Sequence, residues 1–163
     1  MPALKAGDAA PDFELPGFLS QPEVKDVTVK LSEYVKNGPV ILMFHPMAFT
    51  AVCETEVCTV GNEWQRYAQA GAQVISLSVD SVPAKKAWVK AIAPAGLPYP
   101  VVSDFWPHGE VAKRYGVLRE QGFSERATFV IGRDGKIVYA DVRANIRELP
   151  PFDEVLAAAR NAA

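Results

Sequence analysis

The pattern of apolar and polar positions predicts several β-strands distributed along the chain. Two continuous apolar runs of strand length, PVILMFH (39–45) and AQVISLSV (72–79), are typical of central strands buried on both faces. VTVKL (27–31) alternates as a half-buried strand does, and YPVVSD predicts a short strand. The late segment RATFVIGRDGKIVYADV predicts a hairpin that turns at Arg133-Asp134-Gly135.

Helical segments are predicted between these strands. They are LSEYVKNG, Thr50 to Ala70, about Pro83 to Ala93, GEVAKRYG and the C-terminal PFDEVLAAARNAA. The opening GDAAPDFELPGF is predicted to be extended and rich in turns. Strands that alternate with helices and end in a hairpin predict an α/β fold with a central mixed β-sheet and helices on both faces. This arrangement is compatible with a thioredoxin-like architecture.

Composition and charge narrow the class of protein. The 163 residues, of which 49% are apolar and 22% charged, suit one globular domain spanning 1–163. A net charge of -2 gives no reason to expect nucleic acid or a membrane surface as partner. The N-terminus lacks the apolar core of a signal peptide, and no apolar run approaches the length of a membrane span. We therefore expect a cytoplasmic protein.

Both cysteines of the chain, Cys53 and Cys58, fall in one predicted helix. At roughly 100° per residue, the apolar positions of this helix lie within about 60° of Cys53, whereas Cys58 lies about 140° away on the polar side. In an intact helix the Cα atoms of Cys53 and Cys58 would be roughly 8.5 Å apart. A disulfide needs a Cα–Cα distance of about 4.4–6.8 Å. A disulfide between them therefore requires the first helical turns to unwind. Gly61, which costs the helix about 1 kcal/mol relative to alanine, would ease that unwinding.

The start of this helix favours a reactive thiolate. Thr50 is predicted to be the N-cap, which places Cys53 in the first turn, where free backbone N–H groups and the helix dipole stabilise negative charge. Pro46 ends the preceding apolar strand, so Cys53 would lie at the carboxyl end of a central strand, where sites in α/β sheets usually form.

Several interpretations of the cysteines stay open from the residues alone. A cysteine on an apolar helix face often packs as a small hydrophobic residue. Together with His45 and His108 the thiols could form a zinc site, although C-x4-C lies at the limit of zinc spacing and the histidines form no H-x3–5-H pair. A thioredoxin-type C-x-x-C is absent. In the cytosol a close cysteine pair is more often redox-active or metal-binding than a structural disulfide.

The spacing Pro46-x-x-x-Thr50-x-x-Cys53 resembles the P-x-x-x-T-x-x-C signature of the peroxiredoxins. GDAAPDFEL is similar to that family's N-terminal segment. RATFVIGRDGKIVYADV is similar to its late hairpin, whose opening active-site arginine corresponds to Arg126. The position of Cys58 resembles peroxiredoxin Q, also called bacterioferritin comigratory protein. By contrast, HPMAFTAVCETE and SDFWPHGEVAKRYGV resemble the alkyl hydroperoxide reductase E subgroup, which typically lacks the second cysteine.

The resemblance implies a thiol-dependent peroxidase that needs no cofactor. Cys53, as thiolate, would attack a hydroperoxide and become a sulfenic acid. Arg126 would supply positive charge, the Thr50 hydroxyl would bond the sulfur and the peroxide, and Pro46 would shield the sulfenate from water. Backbone N–H groups around Val52 and Cys53 would bind the substrate as well.

The resemblance also implies how the cycle closes. Cys58 would attack the sulfenic acid, and a thioredoxin- or glutaredoxin-like protein would reduce the resulting disulfide; the alternative is a one-cysteine enzyme resolved by an external thiol. Glu56 corresponds to a position where a glutamate often orients an arginine, and His45 replaces a common aromatic residue. We expect a monomer or weak homodimer. The competing classes are a thioredoxin-fold binding or chaperone-like protein without turnover and a structural zinc protein.

Overall fold

The apolar run at residues 40–44 forms the central strand of a seven-stranded sheet in the computed structural model, which describes residues 2–163. The strands are β1 (Glu14–Leu19), β2 (Lys25–Lys30), β3 (Val40–Phe44), β4 (Gln73–Ser78), β5 (Val101–Ser103), β6 (Ala127–Ile131) and β7 (Ile137–Val142). Their order across the sheet is β2-β1-β5-β4-β3-β6-β7. The pairs β3–β4 and β4–β5 are parallel and the remaining pairs are antiparallel. The predicted mixed sheet is confirmed.

Within residues 2–163, six α-helices connect and cover these strands. They are α1 (Leu31–Tyr34), which continues as a short 3-10 turn (Val35–Asn37), α2 (Ala51–Asn62), α3 (Trp64–Gln69), α4 (Val82–Ile92), α5 (Glu110–Arg114) and α6 (Phe152–Ala162). No helix within residues 2–163 is both long and apolar enough to cross a bilayer.

The core lies on both sides of the sheet, as the continuous apolar strands require. Ile41 and Met43 of β3 pack in one cluster with side chains of α2, α4 and α6. The alternate β3 residues, Val40, Leu42 and Phe44, pack in the other cluster with side chains of α1 and α5. Because successive residues of a strand point to opposite faces, a strand in this position must be apolar throughout.

One prediction from the sequence was incomplete and another was wrong. The N-terminal segment, expected to be extended and turn-rich, contains the strand β1, which pairs with both β2 and β5. The helix predicted from Thr50 to Ala70 is interrupted at Glu63, whose φ of -102° and ψ of 20° are not helical. Gly61 and Asn62, both weak helix formers, precede this break. Trp64 and Tyr67 still pack on the same core cluster as Cys53, but Ala68, predicted on the same stripe, is exposed.

Candidate active site

The pairing of β3 with β6 brings distant parts of the sequence to one edge of the sheet. Phe44, the last residue of β3, lies opposite Ala127, the first residue of β6. His45 and Arg126 are the next residues outward on these two strands, and both are buried. The antiparallel register therefore places Arg126 at the end of β3 from which the chain leads into α2.

A short loop joins β3 to α2 and is held by hydrogen bonds. Pro46 is buried at its start, and the backbone N–H of Ala48 donates to Oδ2 of Asp80 over 2.8 Å. Phe49 has a φ of 62°, a left-handed conformation that is strained for a side chain of this size. The contact with Asp80, two residues after the end of β4, therefore helps to hold the loop in this shape.

Thr50 occupies the predicted N-cap position, with extended dihedral angles directly before α2. Its hydroxyl does not cap the helix but donates to the carbonyl of Met47 over 2.8 Å. The expected hydrogen bond from this hydroxyl to the sulfur of Cys53 is not among the contacts within residues 2–163. Since a hydroxyl oxygen also accepts, Thr50 keeps acceptor capacity at the mouth of the site.

Cys53 is the third residue of α2 and is fully buried, as the helical pattern predicted. Nη2 of Arg126 donates to its Sγ over 3.2 Å, across 73 positions of sequence. Val52, half-buried, precedes Cys53 in the first turn. Cys53 thus lies in the first turn, where backbone N–H groups lack helical partners, and the guanidinium adds a positive charge beside its sulfur.

Arg126 is fixed by two further contacts. Its Nη1 pairs with Oε2 of Glu56, which is fully buried, and its Nε donates to the carbonyl of Ile146 over 2.7 Å. Burial raises the pKa of the Glu56 carboxyl to about 7, although Arg126 acts in the opposite direction. The sequence resemblance had indicated an orienting role for Glu56, and the structure supplies the contact.

Cys58 is not as exposed as the helical wheel predicted. It is half-buried on the wall of a cavity of about 600 Å³, which Trp64 also lines, and its Sγ lies 3.8 Å from the carbonyl oxygen of Ile92. Burial, and to a smaller degree the nearby Glu54, raises the pKa of the Cys58 thiol. Both cysteines are free thiols on an intact helix.

Sequence reasoning missed a buried polar cluster next to this site. Lys85 of α4 is fully buried and contacts His45 and Ser78, and Ser78 bonds Asp80. Nothing in the pattern distinguishes Lys85 from its neighbour Lys86, since lysines on helices are normally solvated. Within residues 2–163 no group of three or more His, Cys, Asp and Glu side chains is placed to hold a metal ion.

Comparison with known proteins identifies the family to which this chain belongs. The profile described as the AhpC/TSA family matches residues 6–140. The chain belongs to the AhpC/TSA family. It is 34% identical over 158 residues to alkyl hydroperoxide reductase E of Mycobacterium tuberculosis, covering 95% of this chain and 97% of the relative.

Solved structures agree with this assignment. Mycobacterium tuberculosis AhpC superposes with a TM-score of 0.84 at 26% identity, covering 97% of this chain and 92% of the other. Peroxidoxin BcpB from the same organism superposes with a TM-score of 0.81 at 29% identity, covering 98% and 99%. This AhpC/TSA protein thus has the peroxiredoxin form of the thioredoxin-like fold, and its family supports thiol peroxidase activity.

Proposed function

We propose that this AhpC/TSA protein reduces hydrogen peroxide and organic hydroperoxides with Cys53 as the attacking thiolate. The contact between Arg126 and the sulfur of Cys53, in a buried site at a helix N-terminus, is the observation that carries this proposal. A guanidinium and free N–H groups favour the charged form of a thiol. The name of the similar mycobacterial enzyme, alkyl hydroperoxide reductase E, supports alkyl hydroperoxides as substrates.

The first step follows from this geometry. The Cys53 thiolate attacks the terminal oxygen of the hydroperoxide, the O–O bond breaks and an alcohol or water leaves. Negative charge moves from sulfur to the leaving oxygen, and Arg126, already beside the sulfur, is placed to steady it. Thr50 at the N-cap is suited to accept a hydrogen bond from the hydroperoxide, and the buried Pro46 is suited to keep water from the sulfenate.

Resolution by Cys58 requires α2 to open. The two thiols lie on one intact helix and face different surroundings, so at least the turns between them must unwind before the sulfurs meet. Cys58 would then attack the sulfenic acid, releasing water and forming the Cys53–Cys58 disulfide. Unwinding removes the burial that keeps the Cys58 thiol protonated, which makes it a better nucleophile in the open state.

A hydrogen bond opposes this opening. The hydroxyl of Tyr99 donates to the carbonyl of Val57 over 2.6 Å, between the two cysteines in sequence, and both residues are buried. A buried hydrogen bond of this kind contributes about 1 kcal/mol. The opening is therefore gated by the packing of α2 against the segment that precedes β5.

A one-cysteine cycle is the second candidate, and a specific observation favours it. The helix is intact and burial keeps Cys58 protonated, so an external thiol could reach the sulfenic acid first. In both cycles we propose a thioredoxin- or glutaredoxin-like protein, or a small thiol, as reductant, in the cytoplasm, with the enzyme a monomer or weak dimer.

Peroxide consumption in the presence of dithiothreitol tests the proposed function. Wild type should consume hydrogen peroxide and an organic hydroperoxide, Cys53→Ser should consume neither, and Cys58→Ser, the matched single-thiol control, should retain the reaction because dithiothreitol resolves the sulfenic acid directly. Equal consumption by wild type and Cys53→Ser would contradict the proposal. Replacing dithiothreitol with thioredoxin and its reductase separates the cycles, since only the two-cysteine cycle loses turnover in Cys58→Ser.

A further inference from the structure

Behind the active-site loop two basic side chains lie in direct contact without access to solvent. Nζ of Lys85 is 3.3 Å from Nε2 of His45, and both residues have no exposed surface. The His45 ring lies against Trp88, with 5.2 Å between ring centroids, and the Nδ1 atom of His45 has no hydrogen-bond partner among residues 2–163. Burying a charged lysine beside a histidine costs folding free energy unless an opposite charge lies nearby.

The pair is connected to the loop that carries the peroxidase motif. Nζ of Lys85 donates to the Ser78 hydroxyl over 2.7 Å, and that hydroxyl donates to Oδ2 of Asp80 over 2.6 Å. The same Oδ2 accepts from the backbone of Ala48 in the loop. His45 itself directly precedes Pro46. One continuous chain of contacts therefore runs from α4, through the end of β4, into the turn before Cys53.

The pair can hold a single proton. Burial, with Lys85 and Arg126 adding to it, lowers the pKa of His45 well below its ordinary value, so the imidazole is neutral at neutral pH. Burial lowers the pKa of Lys85 to about 7, opposed by the negative charges of Asp80, Cys53 and Asp104. When Lys85 is charged it donates to Nε2 of His45, and when it is neutral its lone pair can accept from that nitrogen.

We propose that Lys85 and His45 form a buried one-proton site that balances the charge of Cys53, holding a proton while Cys53 is a thiolate and releasing it when Cys53 is oxidised. Lys85 is thus a positioning residue: it acts on the sulfur through charge and through the loop, whereas Arg126 touches the sulfur. In its redox part this inference rests on the proposed function.

The proton balance of the first step shows why such a site is useful. In Cys–S⁻ + ROOH + H⁺ → Cys–SOH + ROH, an S–O bond forms, the O–O bond breaks, sulfur gives up two electrons and the negative charge on sulfur disappears. The Lys85 ammonium then loses its counter-charge in a site of low polarity, and the equilibrium Lys–NH₃⁺ → Lys–NH₂ + H⁺ shifts to the right. The pair therefore returns part of the proton that the reaction consumes.

The thiolate of Cys53 can be titrated without any peroxide, by its ultraviolet absorbance. In a Cys58→Ser background, with Cys53→Ser as the blank, Lys85→Met should move the midpoint of thiolate formation upward by roughly one pH unit, the low end of the effect of a nearby opposite charge. The matched control is Lys86→Met: Lys86 is the next residue of α4, is half-buried and pairs with Asp26. It should leave the midpoint unchanged, and equal midpoints in the two variants would overturn the proposal.

A second variant keeps the test decisive if Lys85→Met does not fold, which circular dichroism would show. His45→Phe restores the aromatic residue common before the motif proline and removes the acceptor of the Lys85 ammonium, so the midpoint should move upward by a smaller amount. A midpoint that does not move in His45→Phe would overturn the proposal. A purely structural role would alter stability or rate at every pH without moving the midpoint.

Proton uptake during oxidation tests the redox part. With stoichiometric peroxide in weakly buffered solution near neutral pH, Lys85→Met should take up more protons per peroxide than wild type or Lys86→Met, and equal uptake would overturn the release step. If wild type fails to react with peroxide while the thiolate midpoint still depends on Lys85, the proposed function fails and the charge pair stands. If wild type reacts with peroxide but the thiolate midpoint does not depend on Lys85, the proposed function stands and the charge pair fails.

Discussion

Nη2 of Arg126 contacts Sγ of Cys53 at 3.2 Å while Nη1 of the same guanidinium pairs with the buried Glu56. The planar guanidinium can make both contacts at once because its donors point in fixed, separate directions. Glu56 lies one turn after Cys53 on α2, so one helix supplies both the sulfur and the carboxylate that orients the arginine. Substituting Arg126 or Glu56 should therefore change the reactivity of the Cys53 sulfur.

Arg126→Lys should lower the second-order rate constant for peroxide by about 100-fold, the size of effect seen when a single stabilising donor is removed from an active site. The ammonium of lysine keeps the charge but cannot donate to Glu56 and to the sulfur at once through separate donors in fixed directions. Stopped-flow tryptophan fluorescence after mixing with hydrogen peroxide measures the constant.

Arg143→Lys is the matched control for that substitution. Arg143 pairs with Asp141 and Glu148 near the same edge of the sheet but has no contact with Cys53. Its rate constant should stay close to that of wild type. An Arg126→Lys variant as fast as Arg143→Lys would show that charge alone, without the bifunctional geometry, is sufficient.

Glu56 should make the fold less stable as the pH rises from about 4.5 to about 7. Its folded pKa, about 7, lies above its ordinary value of 4.5, so the folded state binds the proton more tightly than the unfolded chain does. The stabilising contribution is complete below pH 4.5 and is lost as the pH rises through 7. Glu56→Gln cannot titrate, so the free energy of unfolding of wild type minus that of Glu56→Gln should fall across this window in urea titrations.

The exposed Glu54, on the same helix, provides the comparison for Glu56. Glu54→Gln, a surface substitution, should change the free energy of unfolding by less than about 0.5 kcal/mol. The difference in the free energy of unfolding between wild type and Glu56→Gln could instead stay constant or rise with pH. That result would mean that the ion pair with Arg126 outweighs burial in setting the pKa of Glu56.

Tyr99→Phe should speed formation of the Cys53–Cys58 disulfide. Loss of the hydrogen bond to Val57 removes about 1 kcal/mol that holds α2 closed, which corresponds to roughly a fivefold larger open population. Mass spectrometry of samples quenched at intervals after peroxide addition measures the rate. Tyr139→Phe is the control, since its hydroxyl bonds Glu154 on α6, and its rate should equal that of wild type.

Lys85 should produce the opposite pH dependence of stability. Its folded pKa of about 7 lies below its ordinary value of 10.5, so the unfolded chain binds the proton more tightly and stability rises with pH between 7 and 10.5. Between pH 7 and 9, below the range where the tyrosines titrate, the free energy of unfolding of wild type should rise more steeply than that of Lys85→Met. Parallel curves in guanidinium titrations would mean that Lys85 stays charged in the folded state over this range, as it does in the unfolded chain.

The sheet and the thiol of Cys53 could be predicted because local patterns determine them. The strand β3 is apolar throughout and β4 is almost entirely buried, and the 3.6-residue period places Cys53 on the core side of its helix. Arg126 was found only through resemblance, because its approach to Cys53 depends on the register of β3 with β6. The hydrophobic period of a sequence holds no information on how β3 and β6, so far apart in the chain, align with each other.

The features that sequence reasoning missed arise from tertiary packing. Lys85 and Lys86 are adjacent, identical residues of one helix, and only tertiary packing buries the first, against His45 and Ser78. The half-burial of Cys58 comes from the segment around Ile92, which closes one side of its cavity. The end of α2 at Asn62, by contrast, has a local cause: Gly61 and Asn62 are weak helix formers, and the long apolar period conceals their effect.

Mapping the oxidised cysteines after one equivalent of peroxide tests the central claim, that Cys53 takes the oxygen and Cys58 resolves it. Wild type should lose the mass of two hydrogen atoms in the peptide that contains both cysteines, as an intramolecular disulfide. Cys58→Ser should instead carry one added oxygen on Cys53, trapped with a sulfenic-acid reagent. Oxygen found first on Cys58, or a Cys53 that stays reduced while peroxide is consumed, would contradict the account.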